Sequence, residues 1–478
     1  MAISLAGSMV SPSCYAEMPQ NSGWSGIQDA AQSDKQFDGY LFGAFEGWDG
    51  MLFPNQLPGL RDAVVEQVVS GIYWADSLEL VQSLKRLGLI EFFEPNYYVT
   101  LFDEPGGGGE INGWPYDALE AGYAKDYSLS GRGIRIGVID SGVDPTNANL
   151  QSANLIQGYS YIQSSADTND DVYHGTKVIQ VICGDHNGLG ISGISPNAEI
   201  VPLKCFSAEG GGTVKIIIEA IRDAVSLYQC DIINMSWGLK NDSQLLHSEL
   251  RSAYDAGVLL VAAAGNVTTN YPQGTKIYPA AYQEVISVSA IDSSLRVLSS
   301  SQKNDQVFVC APGGNIPFID ASGNVTGESG TSYASPCVTA ELAILMQLAP
   351  NLERDALMDA IIERTVDLGE SGYDIAYGYG LLRLDKLIGQ HWSRFDAMDY
   401  DGRTCWSVSG WTVNKGGSRA LLSAFDSSGK MIGVRILTTE HNTGYFDHIF
   451  IEEDAASYLI AYTDTGFIPI SPCDWYIP

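Results

Sequence analysis

Basic residues are scarce in this chain. It carries 26 Lys and Arg against 57 Asp and Glu, a formal net charge of −31. A surface this negative repels phosphate backbones and anionic headgroups, which argues against nucleic acid and membrane surfaces as partners. Uncharged apolar runs of about 18 residues are lacking too, so no membrane-spanning helix is expected. None of the eight cysteines forms a CxxC pair, which removes zinc-ribbon and dithiol redox chemistry. Cys183, Cys205, Cys230, Cys310 and Cys337 lie among apolar or small residues and read as buried thiols. Cys405 and Cys473 flank the last zone of the chain and suggest a disulfide. The first residues, MAISLAGSMVSPSCYA, are small and apolar, and Cys14-Tyr15-Ala16 suits a signal-peptidase site. No basic residue precedes it, so the expectation is a leader remnant or an unstructured start.

What is present divides into three zones. From Phe37 to Asp103, two strand-like runs (Tyr40–Phe45 and Gly71–Trp74) precede a helix with Leu78, Val81, Leu84 and Leu87 at three-residue steps, started by Asp76 or Ser77. A strand region, Ile90–Val99, closes this small α+β unit. The stretch 104–111, EPGGGGEI, is expected to interrupt regular structure. From Asn112 to Gly389, apolar runs at Ile134–Ile139, Glu199–Leu203, Ile232–Met235, Val258–Ala263 and Val285–Val288 alternate with helical patterns such as Val214–Tyr228 and Gln244–Ala256. Near-continuous apolar strands between helices predict an α/β doubly wound, mostly parallel sheet. Residues 390–478 alternate without a helix, with a strand, turn and strand over Leu421–Arg435, and predict a small all-β sandwich.

Four residues of the middle zone stand where an α/β sheet gathers its chemistry. Asp140 ends the strand-like IGVID run, at the carboxyl edge where functional groups collect. His174 opens a buried helical stretch. Asn266 follows the apolar run VAAAG. Ser332 lies among small residues ahead of an apolar helix, expected over Cys337–Leu348, whose amino end offers unpaired amides and a positive dipole. A serine is a weak nucleophile until a base takes its proton, and the base needs an orienting carboxylate. An amide N–H aimed at a developing oxyanion supplies the fourth part.

In the order IGVIDSGVD, HGT, NMSWG, AAAGN and GTSYASP, these strings resemble the subtilase family of serine proteases over roughly Trp114 to Leu387. The resemblance implies a secreted endopeptidase acting on proteins or peptides and needing no cofactor for its chemistry. Ser332 would be the nucleophile, His174 the base, Asp140 its orienter and Asn266 the oxyanion donor. Gly210, Gly211 and Gly212 with Ser236, Trp237 and Gly238 would flank the substrate as two strands. Ala263, Ala264 and Gly265 would wall the pocket for the residue before the cut. Ile277 at its floor would favour a small or medium apolar side chain.

The resemblance also assigns 37–103 as a propeptide, an intramolecular inhibitor cleaved from the chain between about Phe102 and Asn112. Residues 1–36 would precede it, 112–389 would be the catalytic domain and 390–478 an accessory domain. A calcium loop is implied at Asp185, Asn187, Leu189 and Ile191 with Asn149 and Asn112, although Asn149 stands where a carboxylate is usual. Three further departures are Lys177 in place of a second histidine, Ile179-Gln180 in place of Ala-Gly, and Tyr333 in place of Met. The two bulkier residues, Ile179 and Gln180, are expected to shift the helix that carries His174. A silent, binding-only version of the fold is the second reading.

Overall fold

The structure is a computed structural model that describes residues 37–44, 64–101, 104–105, 113–208, 211–350 and 354–388. Beyond these it describes 392–400, 403–411, 419–425, 427–428, 431–437, 445–450, 457–463 and 474–476. The chain divides after Tyr98 into two compact units.

The first unit is an antiparallel sheet with one helix. Its elements are β1 (Phe37–Ala44), β2 (Val65–Val69), β3 (Ile72–Ala75), α1 (Leu78–Arg86) and β4 (Ile90–Tyr97), with strand order β2-β3-β1-β4. Ser77 starts α1 by accepting the Leu80 amide at 3.3 Å. Leu80, Val81 and Leu84 face a core with Phe42, Tyr73, Ile90 and Phe93. Gly88 stops the helix at φ +68°, a left-handed turn that glycine takes without strain. The last strand ends at Tyr97 rather than Val99.

In the second unit, β5 (Thr100–Leu101), β6 (Glu104–Pro105) and the short helices α2 (Trp114–Ala118) and α3 (Gly122–Asp126) precede the main sheet. That sheet contains β7 (Arg135–Asp140), β8 (Asn154–Leu155), β9 (Tyr159–Ser160), β10 (Glu199–Lys204), β11 (Ile232–Met235), β13 (Leu259–Ala263), β14 (Val285–Ile291) and β15 (Val309–Pro312). The order is β15-β14-β13-β11-β7-β10-β8, with β9 also on β10, and every pairing is parallel. Between the strands run α4 (His174–Cys183), α5 (Val214–Ser226) and α6 (Gln244–Asp255). β11, β13, β14 and β15 are buried at every position, as strands covered on both faces must be. The doubly wound α/β expectation therefore holds. The chain leaves β7 toward β8 and β10 on one side and later toward β11 on the other. That reversal opens the crevice in which such sheets hold their ligands.

Outside the sheet, β12 (Trp237–Gly238) follows β11, while β16 (Ile316–Ile319) and β17 (Val325–Ser329) form a hairpin. Then comes α7 (Thr331–Leu348), buried at every residue from Thr331 to Leu345, followed by α8 (Arg354–Arg364) and α9 (Leu384–Ile388). The helix starts six residues before the expected Cys337, so Pro336 lies inside it. Proline removes one bond of the helical ladder, the one to the Ser332 carbonyl. The Ser236 hydroxyl donates to that carbonyl at 2.8 Å instead. Between 392 and 476 the described strands form two antiparallel sheets, β18-β19-β22 and β21-β20-β23-β24, from β18 (Trp392–Tyr400), β19 (Arg403–Trp411), β20 (Arg419–Phe425), β21 (Met431–Leu437), β22 (Tyr445–Phe450), β23 (Ser457–Thr463) and β24 (Asp474–Tyr476). Among the described residues no helix is long and apolar enough to cross a membrane.

The stretch 104–111 departs from expectation at its start. Glu104–Pro105 pairs antiparallel with Glu328–Ser329. The remainder, 106–111, and Asn112 lie outside the described residues.

Candidate active site

Asp140 ends β7 and His174 begins α4, and both are fully buried. His174 Nδ1 lies 2.7 Å from Asp140 Oδ1, which also accepts the Ser141 amide at 2.7 Å. One ring nitrogen is thereby committed to the carboxylate, which leaves Nε2 as the proton-handling end. The start of α4 is anchored by Asp170. Its Oδ2 accepts the Thr176 amide (2.8 Å) and hydroxyl (2.6 Å), and Oδ1 accepts the Tyr173 amide at 2.7 Å. The Ser141 hydroxyl takes the Gly175 amide at 2.8 Å, tying strand end to helix start.

Ser332 occupies the first turn of α7, and its hydroxyl donates to the Ser236 carbonyl at 3.0 Å. The Ser236 hydroxyl in turn contacts the Asn234 amide and the Ser335 hydroxyl, each at 3.0 Å, and Thr339 donates to Asn234 Oδ1 at 2.9 Å. This polar seam beneath Ser332 escaped the sequence reading. Asn234, Ser236 and Ser335 stand in quoted strings, yet spacing alone gave Asn234, Ser335 and Thr339 no role. Asn266 Oδ1 accepts both the Thr331 amide (3.1 Å) and hydroxyl (3.0 Å). That fixes the amide so that its N–H side faces away, and Nδ2 has no partner among the described residues. A buried donor without a partner is costly in a resting fold and useful where charge develops.

The chain's own segment after Tyr98 passes along this site. The Val99 amide donates to the Gly212 carbonyl at 2.8 Å. A side chain on Gly211 would stand 2.7 Å from the Val99 carbonyl, so the close approach needs glycine. Thr100 and Leu101 pair antiparallel with Gly238 and Trp237. Glu104 and Pro105 pair with Ser329 and Glu328, immediately before Ser332. Gly211 and Gly212 on one side and Trp237 and Gly238 on the other thus lie against residues 99–101. Ser236 contacts Ser332 instead, and Gly210 lies outside the described residues. Ala263 and Ile277 pack together with Tyr271 beside them, Ala264 is buried, and a Cβ on Gly265 would strike Ile277 at 2.6 Å. Wall and floor of the expected pocket are therefore in contact.

A family model for the subtilase family matches residues 131–380. The chain belongs to the subtilase family. Among curated relatives it is 36% identical over 270 residues to the minor extracellular protease Epr of Bacillus subtilis. That match covers 56% of this chain and 41% of Epr. It is 30% identical to subtilisin DY of Bacillus licheniformis over 56% of this chain and 95% of that protein. With the thermophilic serine proteinase of a Bacillus species, strain AK1, it shares 32% over 63% of this chain and 73% of the relative. The matched residues form a subtilisin-like, serine-type endopeptidase domain.

Two of the subtilase's departures are packed into the core. Ile179 is wholly buried. Gln180 clasps the backbone of Ile319 on β16 with both ends of its amide, accepting at 2.9 Å and donating at 3.0 Å. The described residues of the implied calcium loop are a divided fit for a cation, since Asn149 Oδ1 is buried with no partner among the described residues while other groups of the loop bond to one another. Asn149 turns an N–H to the Ile191 carbonyl at 2.8 Å, and Asn187 Oδ1 is taken by the Leu189 amide at 2.8 Å. Asp185 instead receives the Ser152 amide at 3.2 Å. Among the described residues no cluster of three His, Cys, Asp or Glu could hold a metal. The five core cysteines are buried and unpaired, and burial raises the thiols of Cys183 and Cys230 to about 12, so none is poised as a nucleophile. Cys473 lies outside the described residues, and with it the Cys405–Cys473 pairing.

Proposed function

We propose that this subtilase is a secreted serine endopeptidase made as a zymogen, with residues 99–105 serving as its first substrate. The observation that carries the reading is the pair of strand contacts on either side of Ser332. Trp237–Gly238 hold the chain before the bond to be cut, and Glu328–Ser329 hold it after. Two residues, Phe102 and Asp103, join those paired segments and lie outside the described residues. By count along the chain, the scissile bond of this proposal is Phe102–Asp103.

In the reaction, His174 Nε2 takes the Ser332 proton as Oγ bonds to the scissile carbonyl carbon. Asp140 holds Nδ1–H and favours the imidazolium that forms. The oxyanion receives the Asn266 Nδ2–H and the Ser332 amide. His174 then gives its proton to the departing amine, the C–N bond breaks, and water completes the cycle by attacking the acyl-enzyme with the same base. An apolar residue before the cut suits the pocket walled by Ala263, Ala264 and Gly265 over Ile277. Phe102 is apolar, though larger than the small or medium residue that Ile277 suggests.

The test is intact mass of the purified chain beside a Ser332→Ala version. The parent is expected to lose its residues through Phe102, giving a new terminus at Asp103, while the variant stays whole. Both chains remaining whole, or both being cut at one place, would overturn the reading.

A further inference from the structure

Two of the departures, Lys177 and Tyr333, meet on a third residue. Lys177 stands one turn beyond His174 on α4, and its Nζ donates to Glu328 Oε1 at 2.5 Å. The hydroxyl of Tyr333, the residue after Ser332, donates to Oε2 of the same carboxylate. Glu328 itself belongs to β17, where its backbone is in register with Pro105. The side chains of Lys177 and Glu328 are only 11% and 20% exposed, and Tyr333 is fully buried, so bulk water screens these bonds weakly. The Tyr333 ring lies 5.8 Å from the His174 ring, with the Phe318 ring at 4.7 Å from Tyr333.

One carboxylate therefore joins the helix of the base, the helix of the nucleophile and the strand that receives substrate beyond the cut. A simple stabilising ion pair needs two partners and no particular address. This unit has three, and each is adjacent to a different working part. Helices placed by one shared carboxylate move when that carboxylate moves, and catalytic alignment is intolerant of such movement, since a misplacement near 1 Å costs about 10²-fold in rate.

We propose that Lys177, Glu328 and Tyr333 are positioning residues that couple occupancy of β17 to the alignment of His174 with Ser332, so that the enzyme favours substrates extended past the cut. A peptide strand pairing with Glu328–Ser329 holds β17 still. Glu328 then holds Lys177 and Tyr333, and through them the base and the nucleophile. A substrate that ends at its leaving group leaves β17 unpaired and the alignment looser. The class favoured is a polypeptide with at least two residues after the scissile bond. This rests on the endopeptidase reading above and goes beyond it by assigning specificity.

The experiment compares two substrates with identical residues before the cut, one ending in a chromogenic aniline and one extended by several residues. The mature enzyme is assayed beside Glu328→Gln, Tyr333→Phe, Lys177→Met and the Glu328→Gln/Tyr333→Phe double variant, with competent Ser332 counted by fluorophosphonate labelling of a separate aliquot of each. The parent is expected to turn over the extended peptide with a kcat about 10-fold or more above the aniline. Each single variant should lose that advantage with KM little changed, the double should be no worse than Glu328→Gln alone, and Lys177→Arg should restore it. Equal losses on both substrates, strictly additive losses, or no loss in any variant would overturn the coupling. If Lys177→Met fails to fold, the mild Tyr333→Phe change decides alone. Failure of the parent itself to take the label would sink the endopeptidase reading instead, so the two failures are distinguishable.

Discussion

The two halves of α7 treat buried polar side chains in opposite ways. In its first turns, Thr331, Ser332, Tyr333, Ser335 and Thr339 all find hydrogen-bond partners, and those partners lie on Asn266, Ser236, Glu328 and Asn234. Half a turn later, Glu341 is wholly buried with neither oxygen bonded to any described residue. Burial pushes its carboxyl well above the ordinary range, and burial likewise raises the neighbouring thiols of Cys337 and Cys310. The contrast teaches that depth alone does not make polar burial costly. A buried hydroxyl with a partner positions something, whereas a buried carboxyl without one stays neutral at the expense of stability.

The largest expected effect tests the partnered half. Asn266→Ala removes the one amide donor held in place by Thr331, and kcat should fall about 10²–10³-fold with KM nearly unchanged, the magnitude found for the oxyanion amide of subtilisin. Steady-state kinetics on one peptide would show it, and a fall shared equally by kcat and folded fraction would erase the distinction drawn here.

Next in size comes the unpartnered half. Glu341 has a folded-state pKa above its unfolded value near 4.5, so an ionised unfolded form competes with a neutral folded one. Stability therefore declines as pH rises from about 4.5 until the folded carboxyl ionises, by up to about 1.4 kcal/mol per pH unit. Glu341→Met should leave melting unchanged near pH 4 and raise it progressively through neutral pH. A gain that does not vary with pH would mean shape, not charge, was the cost.

The smallest effect comes from a carboxylate of the opposite kind. Glu284 accepts from His247 at 3.0 Å and pairs with Arg251 at 3.0 Å, and these bonds, led by His247, hold it down at about 2. Its contribution is complete above the unfolded value near 4.5 and is lost as pH falls toward 2, the reverse of Glu341. Glu284→Gln should lower the melting temperature by a few degrees at pH 6, and the difference should close by pH 2. A constant difference across that range would show that the pair stabilises by packing alone.

Much of the sheet was legible because apolar runs covered on both faces leave an unmistakable pattern. Ile232–Met235 was read to the residue, and β7, β10, β13 and β14 to within one to three. Asp140, His174, Asn266 and Ser332 could be singled out as candidates for a different reason, since each stands at or just beyond an element end with a neighbour set that chemistry narrows. What escaped needed long-range partners. Pro336 looked like a helix barrier because the hydroxyl that replaces its missing bond comes from Ser236, far back along the chain. Glu104–Pro105 looked like linker because its pairing strand, β17, is more distant still. Gln180 looked disruptive, yet its amide fits the Ile319 backbone that folding brings to it. Lys177 and Tyr333 read as isolated oddities until Glu328 joined them.

The exchange between Ser236 and Ser332 has a consequence for the products. Each residue bonds the other, hydroxyl to carbonyl in both directions, at 3.0 and 2.8 Å. On the proposed reading, the edge that would hold an incoming peptide and the hydroxyl that would attack it are thereby one gauge rather than two parts in adjustment. Slippage by a residue would turn every side chain of the bound strand to its opposite face, so fragments from an extended substrate should carry clean, single termini instead of a ragged ladder.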